Sequence, residues 1–343
     1  MIPTWLIITF AVLIFLQIPA TAAVFIAEAR RKREEVIPVE YYPPEGFSPL
    51  DVMAEYYSGK AKLNGLFNPL MLYWADKGYI KIEEDGKRGL VLTKLKDLPP
   101  VYKDTEERYK IEHKLFYDIF NKTNVFYTLT APSGYNVSYK EFVTECKNNI
   151  RKTVTSPKTV KVNAIISAYG VGIALLLSIV LGAIRHDNSF LMTIFPIFGL
   201  IAVRFMPQGI FKYLFMSLWG GIPLMFFVLW QPAAVGVVFL SAVLLSFVIQ
   251  NIFLSRFDIR REENLKIYAR CEGFKRFLLH ARLAELEMLV AENPDYYFDI
   301  LPYCYVFGIT EKVKVKFDLI NLDNPAWYLN DESIGDFRDS LIN

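Results

Sequence analysis

Charge is laid along this chain in blocks. Residues 1–27 hold no Asp, Glu, Lys or Arg, and residues 162–254 hold four, Arg185, Asp187, Arg204 and Lys212, whereas the other 223 positions carry 70 of the 74 charged side chains. An ionised side chain costs at least ~2.5 kcal/mol at the centre of a bilayer. Long uncharged runs alternating with charge-rich ones therefore describe a membrane protein with water-soluble parts. With 53% hydrophobic residues among 343 and a mean hydropathy of +0.25, a purely soluble enzyme, a fibrous protein and a disordered chain are excluded.

The first apolar run, 4–27, has the length to cross a hydrocarbon core of about 30 Å. A secretory signal carries its basic residues before the apolar run. Here Glu28-Ala29-Arg30-Arg31-Lys32-Arg33 follows it. Ala20, Ala22 and Ala23 offer the small side chains of a cleavage site, but the charge order describes an uncleaved anchor with its N-terminus outside. The second block divides into spans 162–184, 189–206, 213–230 and 233–254, separated by Arg185-His186-Asp187-Asn188, Pro207-Gln208-Gly209 and Gln231-Pro232, all good turn formers. Span 189–206 is also compatible with a re-entrant segment. Basic residues sort by parity. Arg30 to Arg33, then Arg151, Lys152, Lys158 and Lys161, then Arg204 and Lys212, then Arg256, Arg260 and Arg261 fall on one side, and Arg185 alone on the other. By the positive-inside rule the chain is a multi-pass protein of the plasma membrane with both hydrophilic regions in the cytoplasm.

Within 162–184, Gly170, Ala174, Ser178 and Gly182 recur every four residues, a helix-packing ridge that lets two backbones approach. Packing against a neighbouring span of the same chain is the favoured reading; a homo-oligomer seam is the other.

Residues 34–156 have room for one domain. Ser48 reads as an N-cap with Pro49 first in the helix and Asp51 three after the cap, and the helix stops at Ser58-Gly59. A second helix begins at Asn68-Pro69 and stops at Lys77-Gly78. The period then changes to two: Tyr79 to Glu83, the turn Asp85-Gly86, and Leu90 to Thr93 predict a β-hairpin. Helix, helix, hairpin is the order of a winged helix. Two further helices follow, with capping boxes at Asp104 with Glu107 and Ser138 with Glu141. This stretch holds 17 Lys and Arg against 18 Asp and Glu, and the candidate recognition helix is apolar and aromatic, so no basic face exists to displace DNA counterions. A protein-interaction module is expected, not a nucleic-acid partner. Residues 255–320 predict an α-helical C-terminal cytoplasmic domain, opening with one long helix from Arg260 to Ala291, and 321–343 a polar, frayed tail. The fold class expected is thus a multi-span α-helical membrane protein with a winged-helix-like α+β cytoplasmic domain and a helical C-terminal one.

Glu40-Tyr41-Tyr42-Pro43-Pro44-Glu45-Gly46-Phe47-Ser48-Pro49, Lys77 to Ile82, Glu272-Gly273-Phe274-Lys275-Arg276-Phe277-Leu278, and Glu292-Asn293-Pro294 through Leu301-Pro302-Tyr303 to Gly308 together resemble the cytoplasmic half of the YciQ-like predicted membrane proteins, a bacterial and archaeal family of unknown function. The resemblance covers most of 1–320 and brings no catalytic residues. It implies a secreted, β-rich module before the first span; three residues precede that span here, so such a module is expected to be lost, encoded further upstream or supplied by a second chain.

Candidate chemistry is sparse. Cys146, Cys271 and Cys304 lie far apart in charge-rich segments and read as reduced thiols. His113, His186 and His280 have no second ligand at i+3 or i+4, which argues against zinc. GxSxG, HExxH and phosphate-loop patterns do not occur, and no acidic residue lies at mid-span. The expectation is no catalytic, cofactor-binding or metal site and no cofactor, with membrane lipid and a protein of unknown identity as partners. The role expected is a non-enzymatic scaffold, sensor or assembly factor. A small transporter or channel is the alternative, and a membrane-tethered DNA-binding regulator a more distant one. The basic residues at the span ends generate a test of topology: a reporter active only in the cytoplasm should work when fused after Ser156 and after Asn343, and stay silent after Asp187.

Overall fold

The computed structural model describes residues 3–58, 63–85, 89–102, 105–120, 123–129, 135–185, 194–206, 210–230, 233–249, 259–320, 322 and 325–329. In chain order its elements are α1 (Thr4–Phe15), α2 (Gln17–Glu34), α3 (Pro49–Tyr57), α4 (Phe67–Asp76), β1 (Ile80–Asp85), β2 (Gly89–Lys94), α5 (Glu107–Phe120), β3 (Val125–Tyr127), α6 (Tyr135–Thr153), α7 (Pro157–Arg185), α8 (Ile194–Phe205), α9 (Ile210–Phe215), α10 (Ile222–Trp230), α11 (Ala233–Val248), α12 (Glu262–His280), α13 (Leu283–Glu292), α14 (Tyr296–Phe307), α15 (Thr310–Phe317) and β4 (Tyr328–Leu329). The chain divides into two units, Met1–Glu34 with Ser156–Ile259, and Glu35–Thr155 with Arg260–Asn343.

The first unit is helical and apolar. Phe10 and Ile14 of α1, Ile173, Ala174 and Leu177 of α7, Ile197 and Leu200 of α8, and Phe239, Ala242 and Val243 of α11 close one core. Large apolar side chains also face outward, among them Trp5, Ile179, Trp219, Phe226 and Leu229. Among the described residues two helices are long and apolar enough to cross a membrane, Thr4–Glu34 and Pro157–Leu177. A π-helical turn, Met216–Gly221, joins α9 to α10. Gly199 of α8 and Gly220 of this turn close on the Met216 sulfur, which lies 3.0 and 3.2 Å from where their β-carbons would stand.

The second unit begins with the expected capping box: Ser48 N–H donates to Asp51 Oδ2 at 3.0 Å, and Asp51 N–H to Ser48 Oγ at 3.4 Å. β1 and β2 pair antiparallel from Ile80 with Lys94 to Asp85 with Gly89. The sheet order is β3-β2-β1-β4. α6 starts at Tyr135, ahead of Ser138, so Ser138 lies inside that helix and does not cap it. Asp104 and Gly86 lie outside the described residues.

Three features of the second unit correct the sequence expectation. First, residues 34–156 and 255–320 do not form separate domains. Leu50, Trp74, Ile82, Leu115 and Phe126 share one core with Phe274, Tyr297, Leu301 and Phe307, because α14 is apolar on all sides and has to be covered on all sides. Second, the stretch from Arg260 to Ala291 is two helices. α12 ends after His280, where Ala281 turns to an extended backbone. There the Lys316 ammonium donates to the carbonyls of Leu278, Leu279 and Ala281 at 3.1, 2.8 and 3.0 Å, taking acceptors that a continuing helix would have used. Third, the tail is not wholly frayed: Tyr328 is buried, and β4 pairs parallel to β1 with Ile82 opposite Tyr328. Residues 330–343 lie outside the described residues.

Candidate functional site

α3 reads Pro-Leu-Asp-Val-Met-Ala-Glu-Tyr-Tyr, and its spacing puts Asp51 and Glu55 one turn apart on one face. Into that face comes Arg108, from the first turn of α5. Its Nε lies 2.8 Å from Asp51 Oδ1 and its Nη1 2.7 Å from Glu55 Oε1. Glu55 is fully buried, and a buried carboxylate is tolerable only when paired and hydrogen-bonded. Asn264 of α12 supplies the remaining donors, its Nδ2 reaching both carboxylate oxygens at 3.0 and 2.9 Å. Arg260, just before α12, donates through its guanidinium to the main-chain carbonyls of Glu55 and Tyr56 and lies 4.4 Å over the Tyr268 ring. A cation there meets the negative end of the α3 dipole. Thr155 forms an antiparallel bridge with Arg260, and Arg261 Nη2 donates to the Lys152 carbonyl at 2.9 Å. The seam thus ties residues from α3, α5, the end of α6 and the start of α12.

A second layer continues along α12. The Tyr56 hydroxyl donates to Glu272 Oε2 at 2.8 Å and accepts from Lys275 Nζ at 3.0 Å. Burial, then the hydrogen bond to Glu272, hold the Tyr56 phenol far above its ordinary range. It remains a donor and cannot serve as a base near neutral pH. Burial likewise pushes the Cys271 thiol up to about 12 and raises Cys146 and Cys304, which keeps all three as inert thiols. They are free and buried.

Two acids on the α4 side are held above the usual carboxylate range. Glu112 of α5 is buried and accepts from Trp74 Nε1 at 2.8 Å. Burial, opposed by that bond, pushes its carboxyl up to about 7. Asp76 is raised to about 6, by burial first and with Asp299 adding to it. Lys77 Nζ sits between the two acids, 2.7 Å from Asp76 and 3.3 Å from Asp299.

Beyond the seam, the extended segment Ile37-Pro38-Val39 and the α12 residues Gly273, Arg276, Phe277 and His280 line a groove of about 320 Å³. Gly273 is required there, because the Pro38 carbonyl oxygen occupies the place of its missing β-carbon.

The residues singled out from sequence fall elsewhere. Ala174 is fully buried in the first unit's own core, and a β-carbon on Gly170 would stand 2.5 Å from Ser246 Oγ and 2.7 Å from Gln17 Oε1. Ser178 and Gly182 lie on α7 with their surroundings undescribed, and His186 lies outside the described residues. His113 is half-buried beside Tyr109, and the His280 ring contacts the Arg276 carbonyl. Among the described residues no three His, Cys, Asp or Glu side chains group to hold a metal. The charged seam was missed. Its signal was the pair of acids one turn apart in an otherwise apolar helix.

Residues 38–317 match the family described as predicted membrane protein (DUF2207), C-terminal domain. The chain belongs to this family. The matched range runs from Pro38 to Phe317 and so takes in both stretches of the second unit together with the apolar block between them. No curated protein and no solved structure matches the chain.

The raised Glu112 carboxyl generates a pH prediction. The folded state holds this proton more tightly than the unfolded chain, so burial costs nothing below the ordinary value of 4.5 and the penalty grows until pH passes about 7. Glu112→Gln keeps an acceptor for Trp74 and removes that penalty. Relative to the parent, its melting temperature should rise at pH 8, by an amount reflecting at most about 3 kcal/mol, and be unchanged at pH 4.5.

Proposed function

We propose that this chain is a multi-span membrane protein that acts without chemistry of its own, as a scaffold, sensor or assembly factor whose second unit is a cytoplasmic protein-contact module. The observation that carries the reading is the contrast between the units. The first presents large apolar side chains outward, as a lipid-facing body does. The second spends its buried charges on one another, with Arg108, Asn264 and Arg260 occupying Glu55 and its helix end. Groups so occupied hold helices in place; they are poorly disposed to accept a substrate proton.

Five crossings with the N-terminus outside remain the proposed topology, supported by the basic residues at the span ends. The order α3, α4, β1, β2 supports a winged-helix-like core, and the affinity with the YciQ-like proteins belongs to the same proposal. Leu70, Met71, Leu72, Trp74 and Ala75 of α4 are buried, which favours a protein over a nucleic-acid partner.

One observation favours a transporter as second reading. Gln17 and Ser246 are buried together in the first unit, with Ser246 Oγ 3.3 Å from Gln17 Oε1, and polar groups inside a membrane body often mark a pathway. Crosslinking in native membranes, followed by identification of the attached proteins, decides between them. A partner crosslinked in fixed ratio to second-unit lysines, with background solute flux in reconstituted vesicles, is expected. Flux well above background without a partner would contradict the proposal.

A further inference from the structure

Contacts along the N-terminal helices fix the direction of α7 against them. The Tyr169 hydroxyl donates to the Leu13 carbonyl at 3.0 Å, Gly170 faces the Gln17 side chain, and Val24 packs against the cluster that includes Val162 and Ile166. Residue numbers rise on one side as they fall on the other. α2 and α7 are antiparallel, and the C-terminal end of α2 lies with the N-terminal end of α7.

At that end each helix carries the same pattern. α2 sets Ile26, Arg30 and Arg33 at i, i+4 and i+7; α7 sets Lys158, Lys161 and Ile165 at i, i+3 and i+7. Each set is one stripe along its helix, passing from apolar to cationic over two turns. Both stripes face away from the helix contacts. Ile26 and Ile165 are 61% and 68% exposed, and Arg30, Arg33, Lys158 and Lys161 are exposed. Thr21 and Glu28 on α2, and Thr159 and Ile166 on α7, are the residues turned inward and buried. Glu28 is 3.6 Å from Arg31, and neither stripe contains an acid.

We propose that these two stripes bind the headgroups of anionic phospholipids, an inference that rests on α2 and α7 crossing the membrane. The guanidinium forks and ammonium groups would take the phosphate oxygens, while Ile26 and Ile165, about a turn closer to the apolar body, lie against the acyl chains. A soluble polyanion matches the cations but leaves both isoleucines facing water. The lipid satisfies both halves of each stripe.

The test uses the full-length chain in phosphatidylcholine vesicles carrying spin-labelled phosphatidylglycerol or spin-labelled phosphatidylcholine, with the motionally restricted fraction read by electron paramagnetic resonance. Phosphatidylglycerol should be preferred at low salt, and the preference should fade at high salt. It should drop about thirtyfold in Arg30→Gln/Arg33→Gln and by a like factor in Lys158→Gln/Lys161→Gln, the factor to which two cations at ~1 kcal/mol each near an anionic surface correspond. Both doubles retain Arg31, Lys32, Arg151 and Lys152, which preserves the orientation signal. Inorganic phosphate exchanged in at constant ionic strength should leave the preference intact. Restricted phosphatidylcholine without any preference for phosphatidylglycerol, a preference unchanged in both doubles, or displacement by phosphate would each overturn the lipid site alone. Absence of any restricted lipid would overturn it together with the membrane reading.

Discussion

Covering α14 is the requirement from which the rest of the second unit follows. Ten of its twelve residues are buried, six of them Tyr, Phe or Leu, and a helix this apolar on every side has no face to offer water. α3 and α4 lie on it from the segment before the large apolar block, and α13 and α15, with Phe274 of α12, from the segment after it. Tyr73 and Phe274 meet Tyr303, Tyr56 and Phe274 meet Phe307, and Phe317 meets Tyr297. Neither stretch closes a core without the other. The chain must return from the apolar block before its first hydrophilic stretch is complete.

Apolar burial of this kind brings polar groups inside with it, and the structure shows how the charged ones along α3 and α12 are met. Arg108 bridges Asp51 and Glu55, Asn264 completes Glu55, and Arg260 holds the end of α3. Lys316 ends α12 by taking three carbonyls at once. These partners come from distant parts of the sequence, so losing one strands the others, and a stranded buried charge costs far more than the pair is worth. Glu112 differs: it is hydrogen-bonded to the Trp74 N–H and the Ser48 side chain, and burial pushes its carboxyl up to about 7.

Local features were legible from sequence because their causes are local. The Ser48 and Asp51 box, the stop at Gly78 and the hairpin around Asp85 each follow from a few adjacent residues. The division into an apolar unit and a charged one was legible from charge placement. The shared core was not. Residues 34–156 contain capped helices and a hairpin that resemble a complete domain, and nothing local says that Trp74 and Leu50 need Tyr297 and Leu301. The break after His280 was hidden for the same reason, since its cause is a lysine 36 residues further along the chain. Half of the small-residue ridge can be placed. Gly170 and Ala174 face neighbouring helices of the same unit, where four-residue spacing alone left the partner open.

Hydrogen exchange followed by mass spectrometry on the full-length chain, with and without Phe298→Ala, tests the shared core most directly. Phe298 is buried in α14 against Tyr297 and Trp327, and truncating a core phenylalanine costs about 3 to 5 kcal/mol. A single core predicts that protection falls by the same amount in peptides from α3, α4 and the β1–β2 hairpin as in α14 and α15. Loss confined to residues 296–317, with residues 49–94 keeping their protection, would contradict it.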